Sequence, residues 1–235
     1  MLRFSITYDF LKNETLPLDY REGFVKLIKT ALNIDHYRNT QDFNLSDIPV
    51  CFAIRFNQKP IIENKRIIVG KKIKLFISSP SFILSTLMYN NLLKIKRFSL
   101  YDNFIINPII SYQNEYEIRQ NTVKLVTLSP IIIRNYQEKN RYVLPNEYDF
   151  NESFFNSLDE QWEKYRQNKL ESKKNISFKI TRYKKVIMSH YGGILLGFTG
   201  SLEINAAREI LNFFYQSGIG YRRNHGFGFV EADRA

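Results

Sequence analysis

Residues 218–229 read Gly-Ile-Gly-Tyr-Arg-Arg-Asn-His-Gly-Phe-Gly-Phe, and the remaining elements of the chain are best interpreted outward from this stretch. Its four glycines form two pairs, which are Gly218 with Gly220 and Gly226 with Gly228. Between the pairs lie Arg222, Arg223 and His225. Glycine allows close backbone approach, backbone N–H groups in such a loop can surround an anion, and the arginine fork suits phosphate oxygens. The stretch therefore predicts contact with an RNA or DNA backbone, although a helix stop, a turn and a final strand would also account for the glycines.

The residues around this stretch predict regular elements. Ile204, Ala207, Leu211 and Phe214 recur at helical spacing, and Gly218 is the expected end of that helix. Residues 226–232 predict the last strand. Further upstream the pattern predicts a strand, a helix and a hairpin, at residues 122–134, 154–165 and 176–199. The hairpin turn is expected at His190, Tyr191, Gly192 and Gly193.

The first half of the chain predicts the same order of elements. Strands are expected at residues 2–8, 48–56 and 72–77, and residues 98–112 are expected to contain one or two strands, interrupted at Pro108. Helices are expected at residues 24–32 and after Ser79-Pro80, where a capping hydroxyl precedes a proline suited to the first turn. This order is that of a ferredoxin-like unit. We therefore predict an α+β fold of two tandem ferredoxin-like (βαββαβ, RRM-like) modules, at residues 1–115 and 122–235, with a polar linker at residues 113–121.

The composition favours a polyanionic partner. The 235 residues include 34 Lys and Arg against 23 Asp and Glu, a formal net charge of +11, which indicates nucleic acid or a membrane surface. No apolar run of about 18 residues is present, so a transmembrane helix is not expected. The single cysteine, Cys51, excludes an internal disulfide and a cysteine-based zinc site. The expected compartment is the cytoplasm.

Five residues of the opening stretch carry a family resemblance. The pattern Gly-x-Gly, five residues, then Gly-Phe-Gly is matched by Gly218, Gly220, Gly226, Phe227 and Gly228. It resembles the glycine-rich loop of the CRISPR-associated endoribonucleases that cut precursor repeat RNA, which belong to the RAMP superfamily. The resemblance implies two ferredoxin-like modules, with the loop between the last helix and the last strand. Residues 127–131, Thr-Leu-Ser-Pro-Ile, are similar to the segment that opens the second module of that family.

A set of cations and glycines forms the predicted RNA-binding surface. Spaced cations on a hairpin arm can follow the phosphates of a stem or a single strand, although a solvated strand face would look similar. The predicted RNA-binding residues are Lys179, Arg182, Lys184, Lys185, Gly218, Gly220, Arg222, Arg223, His225, Gly226 and Gly228. Tyr183 and Tyr191 interleave with these charges and suit either stacking on unpaired bases or packing in the sheet.

The candidate catalytic residues centre on a histidine. Histidine suits proton transfer in the attack of an RNA 2′-hydroxyl on the adjacent phosphate, a route that needs no metal or other cofactor. The resemblance implies a catalytic histidine at or just after the first helix, helped by a tyrosine and sometimes a lysine. His36 matches that place, with Tyr37, Tyr20 and Arg38 as candidate helpers, whereas no lysine follows within the next twenty residues. His225 is a second catalytic candidate, and His190 suits a turn or a phosphate contact.

The resemblance thus implies a metal-independent endoribonuclease that acts on CRISPR repeat RNA. A non-catalytic RNA-binding subunit of a guide-RNA effector complex is the alternative. Residues 225–232 also resemble the RNP1 motif of RNA-recognition domains, but the initial cation and the final aromatic residue of that motif are absent. A membrane-surface protein would require a basic amphipathic helix with exposed aromatic residues, which the sequence does not contain. An effector complex and a homodimer are further partners that the sequence leaves open.

Overall fold

The structure, a computed structural model, describes residues 3–12, 14–33, 48–113, 116–170 and 175–233. The chain divides into two compact units. Unit 1 consists of Met1–Glu115, Ser189–Gly193 and Asn224–Gly226, and unit 2 consists of Tyr116–Met188, Ile194–Arg223 and Phe227–Ala235. Unit 1 thus includes two short segments from far downstream in the chain. The predicted division into two consecutive domains does not include such segments. The predicted domain limits stay a prediction.

The described residues among the first 115 form a five-stranded antiparallel sheet with two helices. The strands are β1 (Arg3–Phe10), β2 (Thr15–Pro17), β3 (Cys51–Phe56), β4 (Ile61–Glu63), β5 (Arg66–Ile68), β6 (Lys72–Ser78), β7 (Arg97–Leu100) and β8 (Asn103–Tyr112). The helices are α1 (Arg21–Asn33) and α2 (Phe82–Lys94). The large sheet has the order β3-β6-β1-β8-β7, and β2, β5 and β4 form a separate small sheet.

The core of unit 1 reflects the spacing of apolar residues in the sequence, which differs between the strands and the helices. Alternate residues of β1, which are Phe4, Ile6 and Tyr8, are buried in the same cluster as Phe24 and Ile28 of α1. A strand buries every second residue and a helix buries every third or fourth, so this cluster joins one face of the sheet to one stripe of the helix. The predicted first strand and first helix are confirmed.

Two details of unit 1 differ from the sequence-based expectation. Helix α2 begins after Ser81 rather than at Ser79-Pro80, because the Ser81 hydroxyl accepts the N–H of Leu84 at 3.3 Å and so caps the helix. Strand β8 runs through Pro108 without interruption. Its pairing with β1 shifts register between Thr7 and Asp9, and this bulge accommodates a residue that has no N–H to donate.

The second half repeats the topology. Its elements are β9 (Thr122–Thr127), α3 (Phe150–Arg166), β10 (Ser177–His190), β11 (Gly193–Asn205), α4 (Arg208–Ser217) and β12 (Val230–Ala232). The sheet order is β10-β11-β9-β12, which is second-third-first-fourth in chain order. The four corresponding strands of the first sheet, β3-β6-β1-β8, have the same order. The chain therefore has an α+β fold of two tandem ferredoxin-like units, as predicted.

Several boundaries in the second half were predicted wrongly. Strand β9 ends at Thr127, before Ser129-Pro130, and Ile131 forms only an isolated bridge with Phe198. Ile204 belongs to β11, so α4 begins four residues later, at Arg208. The last strand begins at Val230 rather than at Gly226. Among the helices of the described ranges, none combines the length and the apolar character needed to cross a lipid bilayer.

Candidate functional site

The glycine-rich loop starts where α4 stops. Gly218 follows the last helical residue with a φ of 74°, and its carbonyl accepts a hydrogen bond from Gln161 Nε2 at 2.7 Å. The predicted helix stop at Gly218 is therefore confirmed. Gln161 lies on α3, so this contact joins the end of one helix of unit 2 to the other.

Close backbone packing explains Gly228, the last glycine of the loop. The N–H of Gly228 donates to the Pro130 carbonyl at 2.8 Å, and its own carbonyl accepts from the N–H of Ile219 at 2.8 Å. The Phe229 N–H donates to Ser129 Oγ at 2.9 Å. A β-carbon added at Gly228, where φ is +69°, would lie 2.0 Å from the Ile219 carbonyl oxygen. These N–H groups are used within the chain, so the geometry directly supports a packing role for this glycine, and a phosphate cradle at the glycines stays a prediction.

Two arginines, Arg222 of the loop and Arg134, lie beside the ring of Tyr221. The Tyr221 N–H donates to the Ile132 carbonyl at 2.8 Å, which places its ring beside Arg222, 5.4 Å from guanidinium carbon to ring centroid. Arg134 approaches the same ring at 4.5 Å. Arg223 Nη1 donates to the Ser217 carbonyl at 3.1 Å. Sequence analysis did not identify Arg134 as part of this cluster because it lies far from the loop along the chain.

The four predicted cations of the hairpin arm lie on an edge strand. Among the described residues, strand β10 lies at one edge of its four-stranded sheet and pairs with β11. Its four cations, Lys179, Arg182, Lys184 and Lys185, are all exposed. Tyr183, between them, is 37% exposed and packs edge-on against Phe198. The structure therefore brings these cations together on one strand, where a polyanion can reach them.

The hairpin tip (Ser189–Gly193) forms a separate site within unit 1. Its central residues, Tyr191 and Gly192, have φ values of 49° and 70°, which is the pattern of a type I′ turn. The Tyr191 N–H donates to Glu22 Oε1 at 2.6 Å, and the Gly192 N–H donates to Asp19 Oδ2 at 3.3 Å. Both carboxylates lie at the start of α1, so the predicted turn is correct and its anchoring residues were missed.

Two histidines meet beside this turn. His190 Nε2 and His225 Nδ1 are 2.9 Å apart, and the Tyr191 ring lies edge-on to both, at centroid distances of 4.5 and 5.7 Å. His190 is only 2% exposed, which does not suit the predicted phosphate contact, whereas His225 is half-buried. Arg21 Nε donates to the carbonyl of the next residue, Gly226, at 3.4 Å. The site thus combines α1, the hairpin tip and residues 224–226.

Tyr101 completes the anchoring at the start of α1. Its hydroxyl accepts the N–H of Gly23 at 3.0 Å and donates to the Asp19 carbonyl at 2.8 Å. Burial raises the pKa of Tyr101 to about 12. At neutral pH the hydroxyl is therefore protonated, as a donor to Asp19 must be.

The predicted catalytic residues lie almost entirely outside the described ranges. His36, Tyr37 and Arg38 belong to residues 34–47, which the structure does not describe. Tyr20 is described and is buried in the core of unit 1, with its ring 5.2 Å from that of Phe56. The Arg21 guanidinium lies over the same ring at 4.7 Å. This packing favours a structural role for Tyr20 over contact with a substrate.

Comparison with known proteins identifies the family to which this chain, with its two ferredoxin-like units and glycine-rich loop, belongs. The family model for the C-terminal domain of CRISPR associated protein Cas6 matches residues 113–232, just over half of the chain. The chain therefore belongs to the Cas6 family. No curated protein sequence matched the chain.

Solved structures support the fold assignment. The product of a Cas6-related gene from Pyrococcus furiosus superimposes with a TM-score of 0.85 at 20% identity, over 99% of this chain and 98% of the other. A RAMP protein described as binding different RNA substrates gives a TM-score of 0.85 at 18% identity, over 100% of both chains. A Cas6 product complex gives 0.67 at 13% identity, over 99% of this chain and 100% of the other. At sequence identities of 13% to 20%, the structural similarity establishes the fold alone.

Proposed function

We propose that this protein is a metal-independent endoribonuclease that cuts CRISPR precursor repeat RNA to give guide RNAs. The observation that carries the proposal is the match of the Cas6 model across residues 113–232, which include the whole glycine-rich loop. Two similar structures are described as a Cas6 product complex and a Cas6 substrate mimic complex. By analogy, the partner of this chain is a repeat RNA.

The charge distribution supports an RNA partner. The chain carries a formal net charge of +11, and four of its cations are exposed on the edge strand β10. A protein that neutralises phosphates releases counterions, so its affinity for RNA falls steeply with salt. The residues proposed to contact phosphates are Lys179, Arg182, Lys184 and Lys185, with Arg222 and the partly accessible His225.

The proposed reaction is an internal transesterification. The 2′-oxygen of one nucleotide attacks the adjacent phosphorus, the 2′-oxygen–phosphorus bond forms, and the bond from phosphorus to the 5′-oxygen breaks. The 2′-hydroxyl proton goes to a base and the leaving 5′-oxygen receives a proton from an acid, which gives a 2′,3′-cyclic phosphate and a 5′-hydroxyl. His36 is proposed for proton transfer, with Tyr37 and Arg38 stabilising the transition state. Tyr20 is the weakest candidate because it is buried.

A non-catalytic RNA-binding subunit is the second candidate function. One similar structure, a RAMP protein, is described by its binding to different RNA substrates. The exposed cations of β10 would serve binding equally well with or without cleavage. The two functions therefore differ in whether the bound RNA is cut.

The deciding experiment maps the ends of a cleaved repeat RNA. The repeat RNA of the source organism's CRISPR array, labelled at its 5′ end, is incubated with the protein in EDTA. We expect one cut that leaves a 2′,3′-cyclic phosphate or a 3′-phosphate. His36→Ala should abolish the cut and keep the affinity for RNA, and Asn39→Ala, in the same segment, should change neither. Unchanged cleavage by His36→Ala would remove the assignment of His36, and tight binding without cleavage by the wild type would establish the binding subunit.

A further inference from the structure

Tyrosine is an unfavourable residue type for the backbone conformation at position 191. The first central position of a type I′ turn requires positive φ, and Asn, Asp and Gly are the residues that adopt it readily. Tyr191 has a φ of 49° at this position, and Gly192 follows with 70°. A bulky side chain held in a sparsely populated backbone region indicates that something other than turn stability accounts for its presence.

The surroundings of Tyr191 hold its backbone and orient its ring. Its N–H is bound by Glu22 Oε1 at 2.6 Å. Its ring lies edge-on to His190, with 68° between the ring planes, and to His225, with 65°. The hydrogen bond of 2.9 Å between the two imidazoles fixes these neighbours relative to each other. Even so, 52% of Tyr191 remains exposed, so a pre-oriented aromatic surface faces solvent.

We propose that Tyr191 is a stacking platform for one unpaired base of the bound RNA. The proposal deepens the proposed function and rests on it. Every nucleobase has a π-face, and single-stranded RNA is commonly bound by bases stacked on aromatic side chains beside cationic surface. A ring that is already oriented loses little conformational freedom when a base stacks on it, so the anchoring contributes directly to affinity.

The turn itself supplies a variant that separates binding from folding. Tyr191→Asn introduces an Asn-Gly pair, the sequence that type I′ turns prefer, so the hairpin should be at least as stable as in the wild type. Stacking on an aromatic residue accounts for about 1–3 kcal/mol per base, which corresponds to a loss in RNA affinity of roughly 5- to 140-fold. Tyr191→Phe keeps the ring and should change the affinity by less than about twofold.

The measurements are the dissociation constant and a fluorescence signal from a single base. The repeat RNA of the source array is prepared with 2-aminopurine at successive positions, and His36→Ala is the background for all variants so that the RNA stays intact. Stacking on tyrosine quenches 2-aminopurine, so one position should be quenched by Tyr191 and Tyr191→Phe proteins. With Tyr191→Asn at saturating concentration, that position should stay bright.

A matched control removes another exposed tyrosine. Tyr148 is fully exposed, at 105%, and Tyr148→Asn makes the same chemical change at a residue that is not part of the hairpin tip. Its affinity and quenching should equal those of the parent protein. If Tyr191→Asn binds the RNA as tightly as Tyr148→Asn and quenches the same position, the stacking platform is disproved while the proposed function stands. If the parent protein does not bind the repeat RNA at all, both proposals fall.

Discussion

The imidazoles of His190 and His225 share a hydrogen bond of 2.9 Å between Nε2 of the first and Nδ1 of the second, although 35 positions separate the residues in the chain. One of these nitrogens must donate and the other must accept, so together they hold a single proton between them. His190 precedes the hairpin turn, and His225 closes a short 3₁₀ turn in the glycine-rich loop. The bond therefore ties the hairpin tip to residues 224–226 within unit 1.

This bond predicts measurable energetic coupling between the two histidines. His190→Ala and His225→Ala should each lower the free energy of unfolding, and the double variant should lose less than the sum of the two. The expected coupling is about 1 kcal/mol, the typical net contribution of one hydrogen bond. Urea unfolding of the four proteins at pH 8 measures it. Strict additivity would contradict the bond.

The two glycines with nearly equal φ provide a matched test of backbone packing. Gly228 has a φ of +69° and Gly192 a φ of +70°, but an added β-carbon would meet the Ile219 carbonyl oxygen at 2.0 Å only at Gly228, whereas nothing lies within 4 Å at Gly192. Gly192→Ala should cost about 1 kcal/mol for its backbone conformation alone. Gly228→Ala should cost about 3 kcal/mol or more, because the backbone must also move.

Thermal unfolding of both glycine variants measures this difference. Gly228→Ala should have the clearly lower melting temperature, or should fail to accumulate as folded protein, while Gly192→Ala stays close to the wild type. Equal melting temperatures would show that the loop relaxes without cost around Gly228.

The raised pKa of Tyr101 predicts a loss of stability in alkali. The unfolded chain loses the phenol proton near the ordinary pKa of 10.0, whereas burial keeps the folded pKa at about 12. Ionisation therefore favours the unfolded state as the pH rises from 10 to 12, and the stability that Tyr101 contributes is fully present only below pH 10. Tyr101→Phe should lose about 1–2 kcal/mol at pH 7, because Gly23 and Asp19 lose their partner.

The alkaline comparison isolates this residue. Tyr101→Phe should show a shallower fall in stability between pH 10 and 12 than the wild type, and the exposed-tyrosine variant Tyr148→Phe should follow the wild type. The fall should not vanish, because burial also raises the pKa of Tyr8. Parallel pH profiles for Tyr101→Phe and the wild type would rule out the predicted contribution.

The cations of β10 predict a specific change in salt dependence. If Lys184 contacts a phosphate of single-stranded RNA, Lys184→Ala should reduce the magnitude of the slope of log affinity against log salt by about 0.7. Lys169→Ala removes the same charge from an exposed position after α3 and should leave the slope unchanged. Filter binding of the repeat RNA between about 50 and 200 mM salt provides the slopes. Equal slopes for both variants would place Lys184 outside the interface.

Local patterns made most of the fold predictable. The alternation of Phe4, Ile6 and Tyr8 and the helical spacing around Phe24 report burial directly, because each element has its own period. The small sheet of β2, β5 and β4 was not predicted, because strands of three residues are too short to show a period of apolar residues. The start of α2 was misplaced because both Ser79 and Ser81 offer a capping hydroxyl, and only the folded chain shows which of them accepts from the helix.

The candidate site was predicted only in part, for reasons of distance along the chain. The hairpin turn was visible as a local Tyr-Gly-Gly signal, and the exposure of the β10 cations follows from their charge. Glu22 and Tyr191 are 169 positions apart, and the sequence around neither residue indicates that the two are in contact. The glycines were correctly recognised as a motif, but their local sequence does not show that the oxygen atoms of Ser129, Pro130 and Ile132 accept N–H groups of the loop.

The membership of residues 224–226 in unit 1 has a consequence for biosynthesis. A ribosome adds about 5–20 residues per second, so roughly 5 to 20 seconds pass between the emergence of the first 115 residues and the arrival of His225. In the earlier part of that interval, until Tyr191 and Gly192 emerge, the nascent chain displays the carboxylates of Asp19 and Glu22 without the amides that later bind them. The half of the molecule that is translated first is therefore among the last to be finished, and a stalled or prematurely terminated polypeptide would leave it incomplete.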